Sequence, residues 1–288
     1  MKLLSAAILT GLVLTTFSYQ PISGNITKSF TLDSLGACQG ITYQNGKYFL
    51  YGDREVGVMR EYSFKNDSLI YQQNEYRFTI KGENVIKHPT GIAYRKGMPT
   101  FVGNSVRQNA EGTLWKAMIY SINWTGFLKR KTLDGNLLKT IEDDACIQGT
   151  RPAYVKYNGK WFMATADYGI SANEVRLYDA AKLVKADKTS ESGLLYKKFT
   201  CSPWVQNLHF IESKGILVLI QNQVEGRKWR LTFLDLSKSL ANGREEVIKV
   251  IETDKTDELE GFTLTDNESK GIAVSSSRKN NVSLMNIL

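Results

Sequence analysis

The chain has 288 residues, 42% hydrophobic and 23% charged, proportions that allow a sizeable core and exclude a disordered chain. Its formal charge of +8 comes from short scattered groups such as Lys129-Arg130-Lys131 and Arg278-Lys279. None is dense enough for a nucleic-acid arm, and a solvated basic surface is expected.

The first stretch, "MKLLSAAILTGLVLTTFS", has one Lys, an apolar run and small residues before Tyr19. It reads as a signal peptide over residues 1–18. The run is shorter than a spanning helix requires, and no later stretch is long and apolar enough to cross a membrane. A secreted or periplasmic protein without a membrane span is expected. The next segment, "NITKSFTL" (Asn25 to Leu32), is a strand with no partner nearby in sequence.

Five related stretches follow. They are "CQGITYQNGKYFLYG" from Cys38, "HPTGIAYRKGMPTFVG" from His88, "TRPAYVKYNGKWFMAT" from Thr150, "VQNLHFIESKGILVLI" from Val205 and "LEGFTLTDNESKGIAVSS" from Leu259. Each has a polar or small opening, an alternating run, a turn with Gly (Gly46, Gly97, Gly159, Gly215, Gly271) and a second apolar or β-branched run. The openings align at Gln39, Thr90, Pro152, Gln206 and Glu260, in steps of 51, 62, 54 and 54 residues. A strand-built repeat of that length is the signature of propeller blades.

Further strands follow the hairpins, as in "VMREYSF" with "YRFTI" and "WRLTFLDL" with "EVIKVIE". Helical periodicity is confined to "AAKLVKA", Ala180 to Ala186. The last repeat stops after its third strand, "NVSLMNIL", so the segment from Asn25 is expected to supply the fourth and close the ring. The fold read from the chain is all-β: a five-bladed β-propeller of four-stranded blades in one domain, residues 25–288, with a monomer expected. A sixth blade within Thr90 to Gly149 has too little chain, and a two-sheet sandwich does not predict five similar openings.

In a propeller the strand openings and the loops after the second strands share one face. That gathers Gln39, His88, Thr90, Arg151, Gln206, Asn207 and Glu260 with Asp53, Asp167, Tyr168 and Asn222. Glu260, set before a Gly and an inner strand, must be paired, protonated or bound to a cation. With Gln39 and Gln206 it forms a candidate Ca²⁺ set, since calcium takes six to eight oxygens. The competing reading has Glu260 paired with Arg151 or an amide as a tie between blades.

Glu260, Asp53 and Asp167 are candidates for carboxylate chemistry, and His88 is a candidate base. His209 is expected to pack between blades. Trp204, Tyr168 and Trp161 either stack on sugars or pack between blades. There is no nucleophile motif and no phosphate-cradling loop. The three cysteines, Cys38, Cys146 and Cys201, match no zinc spacing. Cys38 is expected near the axis as a packing or disulfide residue.

Several stretches resemble known propellers over fifteen residues or fewer. "CQGITYQNGKYFLYG" resembles blade openings of five-bladed glutaminyl cyclotransferases. "HPTGIAY" resembles inner strands of lactonase-like propellers. "ELEGFTL" is similar to a segment of phytase-like and calcium-activated nucleotidase propellers, and "RPAYVKYNGKWFMA" to openings of five-bladed glycosidases. These resemblances imply a cation at the top of the channel, with Glu260 on the nucleotidase-like position. The chain departs from the patterns at Pro152, which has no ligating side chain, and at Thr90, where the lactonase-like motif has Asn.

The leading expectation is a propeller that binds a small polar ligand or glycan through Gln39, Thr90, Arg151, Gln206, Asn207, Asn222 and Glu260, with calcium as the only cofactor considered. The alternatives are a cation-assisted hydrolase of phosphoesters, lactones or glycosides, and a structural or protein-binding propeller.

Overall fold

The computed structural model describes residues 20–171, 173–222 and 225–287. The segment expected to be a signal peptide lies outside them. Five antiparallel sheets form a five-bladed β-propeller. The four strands of the first blade are Cys38–Gln44, Lys47–Asp53, Gly57–Lys65 and Ser68–Arg77. The innermost strands of the other blades are Pro89–Ala93, Ala153–Tyr157, Val205–Ile211 and Leu259–Leu264.

The core is divided among the blade interfaces. Five hydrophobic clusters are present, one between each neighbouring pair of blades. The cluster joining blades five and one sets Ile272, Val274 and Leu284 against Cys38, Ile41 and Leu50. This pattern follows from alternation: both faces of each sheet are covered by neighbours, so both must be apolar.

The strand Asn25–Phe30 pairs antiparallel with Val282–Asn286 and completes the fifth blade. The sequence pattern does not anticipate a second tie. Ile22 and Ser23 pair in parallel with Ile251 and Glu252 on the outer edge of blade four. The N-terminal segment therefore bridges two blades.

Four of the five expected turn glycines have left-handed φ, from 65° at Gly215 to 80° at Gly46 and Gly97. Gly271 does not. The fifth hairpin turns earlier, with Glu268 at φ 54°, and Gly271 lies in the strand Lys270–Ser275. A Cβ there would lie 2.3 Å from the Phe262 ring.

Helix is also commoner than the sequence pattern suggests. Besides Ala180–Leu183, short helices span Trp124–Arg130 and Leu236–Asn242. Each follows the third strand of its blade and begins at Asn123, Asp179 or Asp235. The capping side chain accepts a backbone N–H of the first turn, as N-cap residues do. Seven residues are too few for a clear 3.6 period, but the Asn or Asp after a third strand is a signal repeated three times.

All three cysteines are free thiols. Cys38 is buried, and desolvation pushes its thiol up to about 12, which fits packing and not nucleophilic chemistry.

Candidate functional site

The polar ring of the top face has a backbone cause. In four blades the register between the innermost and second strands shifts at the aligned opening residue. Cys38 pairs Gly52 and Gly40 pairs Tyr51, so Gln39 is left between them. The same bulge leaves Thr90, Gln206 and Glu260 unpaired in their blades. A bulge holds one extra residue out of the ladder and re-aims its side chain. In the third blade the place falls to Pro152, which has no N–H to donate.

The side chains at these bulges differ in what they touch. Thr90 donates to the Thr150 carbonyl at 2.5 Å and ties blade two to blade three. Gln206 accepts from Nη2 of Arg151 at 2.9 Å, while its carbonyl takes Nε at 3.2 Å. Gln39 and Glu260 are 5% and 3% exposed, and among the described residues neither side chain has a hydrogen-bond partner.

Arg151 does not pair with Glu260. Its guanidinium is held on Gln206, with Tyr168 beneath it at 5.6 Å. Its third nitrogen, Nη1, is buried without a partner and fits against Gly149, where a Cβ would come within 2.5 Å. Burial, then the charge of Glu258, raise the Glu260 carboxyl well above the usual carboxylate range, and Arg151 offsets only part of this.

Asn207 closes the channel below this mouth. Its Nδ2 donates to Oη of Tyr51 at 3.0 Å and to the Glu260 carbonyl at 3.1 Å. Tyr51 is a member of the site that the alignment of openings does not reach. It sits opposite Gly40 on the second strand, and its ring occupies the space a Cβ on Gly40 would need, 2.2 Å from Oη.

Asp53 and His88 come together beside the mouth, with Oδ2 3.1 Å from Nδ1. Asp53 Oδ1 accepts the Ala37 amide at 3.1 Å, and the His88 amide donates to Asn104 at 3.0 Å. The pair lines a cleft of about 530 Å³ with Asn104, Trp115, Tyr120 and Arg107. Asp53 also lies close enough to Glu260 to raise its carboxyl further, so cleft and mouth are neighbours.

Two other candidates are engaged structurally. Asp167 accepts the amides of Ile147 and Gln148, each at 2.9 Å, and so anchors that loop. Asn222 accepts from the Tyr168 hydroxyl at 3.1 Å and donates to the Leu259 carbonyl at 3.4 Å. Tyr168 and Trp204 pack edge to face at 5.4 Å. His209 sits edge-on to Phe262 of the fifth blade at 5.8 Å, and with Trp161 it lies toward the opposite mouth of the channel.

The donor set can be compared with what calcium needs. Glu260 and Gln39 have oxygens free of protein partners. Gln206 does not, and a guanidinium stands beside it. Among the described residues no group of three or more His, Cys, Asp or Glu is gathered for a metal.

No protein-family model matches the chain, and no curated protein matches it. Similar solved structures include hydrazine synthase of Kuenenia stuttgartiensis, at 14% identity and TM-score 0.44 over 92% of this chain. This chain spans 59% of that one. U3-55K is similar at 7% identity and TM-score 0.45, over 90% of this chain and 98% of its own. The WD40 repeats of RRP9 are similar at 7% and 0.44, over 93% and 99%.

Proposed function

We propose that the top face binds a small polar ligand or glycan, seated at the channel mouth and the adjoining Asp53–His88 cleft. One observation carries this reading: buried polar groups at the mouth have no protein partner. They are the Glu260 carboxyl, the Gln39 amide and Nη1 of Arg151. Nη1 of Arg151 is an unsatisfied buried group of the kind that costs about 1–3 kcal/mol, and Glu260 and Gln39 offer a ligand open hydrogen-bonding sites. The raised Glu260 carboxyl favours its protonated form, which both donates and accepts, as paired hydroxyls require.

The test is a glycan array followed by calorimetry on any hit, with the parent protein, Glu260→Ala and Gln39→Ala. Loss of one such contact weakens binding by about ten-fold. An array with no hit, or hits indifferent to both variants, ends the reading.

Calcium is the alternative occupant of the same mouth. It draws on Glu260 and Gln39, and it would have to draw Gln206 away from Arg151. A ligand that binds only the folded state raises the melting temperature. A calcium-dependent rise that chelator reverses and Glu260→Gln abolishes supports it, and no shift in any condition removes it.

A hydrolase is the second reading, favoured by the Asp53–His88 pair in its cleft. An imidazole that donates from Nδ1 to a carboxylate keeps Nε2 as the basic nitrogen. Chromogenic phosphoesters, lactones and glycosides test it: turnover must appear and must be lost in His88→Ala.

A further inference from the structure

The opposite mouth of the channel, where the innermost strands end, holds a second cavity of about 510 Å³. That volume suits a small ligand. Tyr51 and Asn207, bonded to each other, line its inner end.

Its lining has a consistent character. Tyr43, Tyr94, Tyr154 and Phe210 surround it with aromatic rings. Polar groups without partners lie among them. Nε2 of Gln44 and Oγ1 of Thr263 are buried and unpaired. The His209 imidazole makes no hydrogen bond to a described residue, and burial pushes it down to about 4, so it is neutral at ordinary pH.

The rim carries Arg95, Lys96 and Glu212, with Lys156 beside them. Arg95 reaches Glu212 at 3.1 Å, Lys156 reaches it at 3.6 Å, and Arg95 covers the Trp161 ring at 3.4 Å. A purely apolar ligand would leave the His209 imidazole without a partner. A strongly charged one would set its charge against aromatic rings and a neutral histidine inside the cavity. The remaining class has apolar C–H faces for aromatic rings and uncharged hydroxyls for mixed donors and acceptors.

We propose that this mouth is a second binding site, for a neutral sugar of one or two pyranose rings. The sugar's hydroxyls meet the His209 imidazole, and its C–H faces meet the exposed Tyr43 ring. The site is independent of the top-face reading.

The probes are methyl glucoside, methyl galactoside, methyl mannoside, methyl N-acetylglucosaminide, cellobiose and lactose, titrated by calorimetry and by the indole NMR signal of Trp161. Saturable binding of at least one sugar is expected. His209→Ala weakens it about ten-fold, the loss of one hydrogen bond. Tyr43→Ala also weakens it, and because Tyr43 is 38% exposed this second variant removes less packing than a core substitution. No saturable binding by any of the six overturns the proposal, as does binding indifferent to Tyr43→Ala. Binding lost in Glu260→Ala and kept in Tyr43→Ala overturns it too, because the sugar then sits at the top face.

Discussion

Tyr51 of the first blade takes a hydrogen bond from Asn207 of the fourth, 3.0 Å away across the channel, and it reaches that position only because residue 40 is a glycine. The Gln39-Gly40 pair is thus a bulge followed by a clearance. Gln39 is held out of the ladder, and Gly40 makes room for the ring that floors the mouth.

Gly40→Ala tests that relationship. The new Cβ falls 2.2 Å from Oη and 2.4 Å from Cζ of Tyr51, so the ring must shift off its bond with Asn207. Overpacking of this kind costs about 1–3 kcal/mol. The denaturant midpoint is expected to fall accordingly, and an unchanged midpoint contradicts the packing described.

Glu260→Gln is expected to stabilise the protein at neutral pH. The folded-state carboxyl titrates well above its ordinary value of 4.5. As pH rises past 4.5, the unfolded chain gives up this proton while the folded chain keeps it. Stability is therefore lost progressively as pH rises toward the folded value. The variant removes that loss, so its advantage grows above pH 4.5 and vanishes below it. Melting curves across pH for both proteins check this, and a constant difference refutes it.

His209 has the opposite acid sensitivity. Burial lowers its folded value from 6.5 to about 4. Between these values the unfolded chain takes up a proton that the folded chain refuses, so stability falls as pH drops from 6.5 toward 4. The full effect is at most about 3 kcal/mol. His209→Gln is expected to flatten the difference in this window while carboxylate titrations continue in both proteins.

Removing residues 20–30 is expected to open the ring. The strand Asn25–Phe30 covers the edge at Val282–Asn286, and an uncovered edge invites pairing with other chains. Light scattering should report association, with a melting temperature lower by about 5–10 °C. A monodisperse truncated protein of unchanged stability would show that the strand is dispensable.

The blades were legible in the sequence because a hairpin repeats the same grammar wherever it occurs. Four of the five aligned blade openings coincide with the bulges at Gln39, Thr90, Gln206 and Glu260. The closing strand was legible because the last repeat is one strand short. The partner of Arg151 was not: whether a guanidinium turns to Glu260 or to Gln206 is set by the spacing of three blades, which no local pattern encodes.

The second mouth left a fainter trace. Four residues after Gln39, Thr90 and Gln206 stand Tyr43, Tyr94 and Phe210. This aromatic recurrence was open to reading, but it reads equally as core until the cavity it lines is seen. The three short helices escaped for want of length, though their capping Asn and Asp residues were in view.

The closing strand also sets an order in time. Thr27 bonds to Leu284, 257 positions away, so the residues that leave the ribosome first in this domain find their sheet partners last. Each of the first three blades has its four strands as soon as its own stretch of chain exists. The fifth needs both Asn25–Phe30 and Val282–Asn286, and until these meet the seam between the fifth and first blades has no finished wall. Contacts so distant are slow to form, and closure of this seam is where the chain spends its most vulnerable moments.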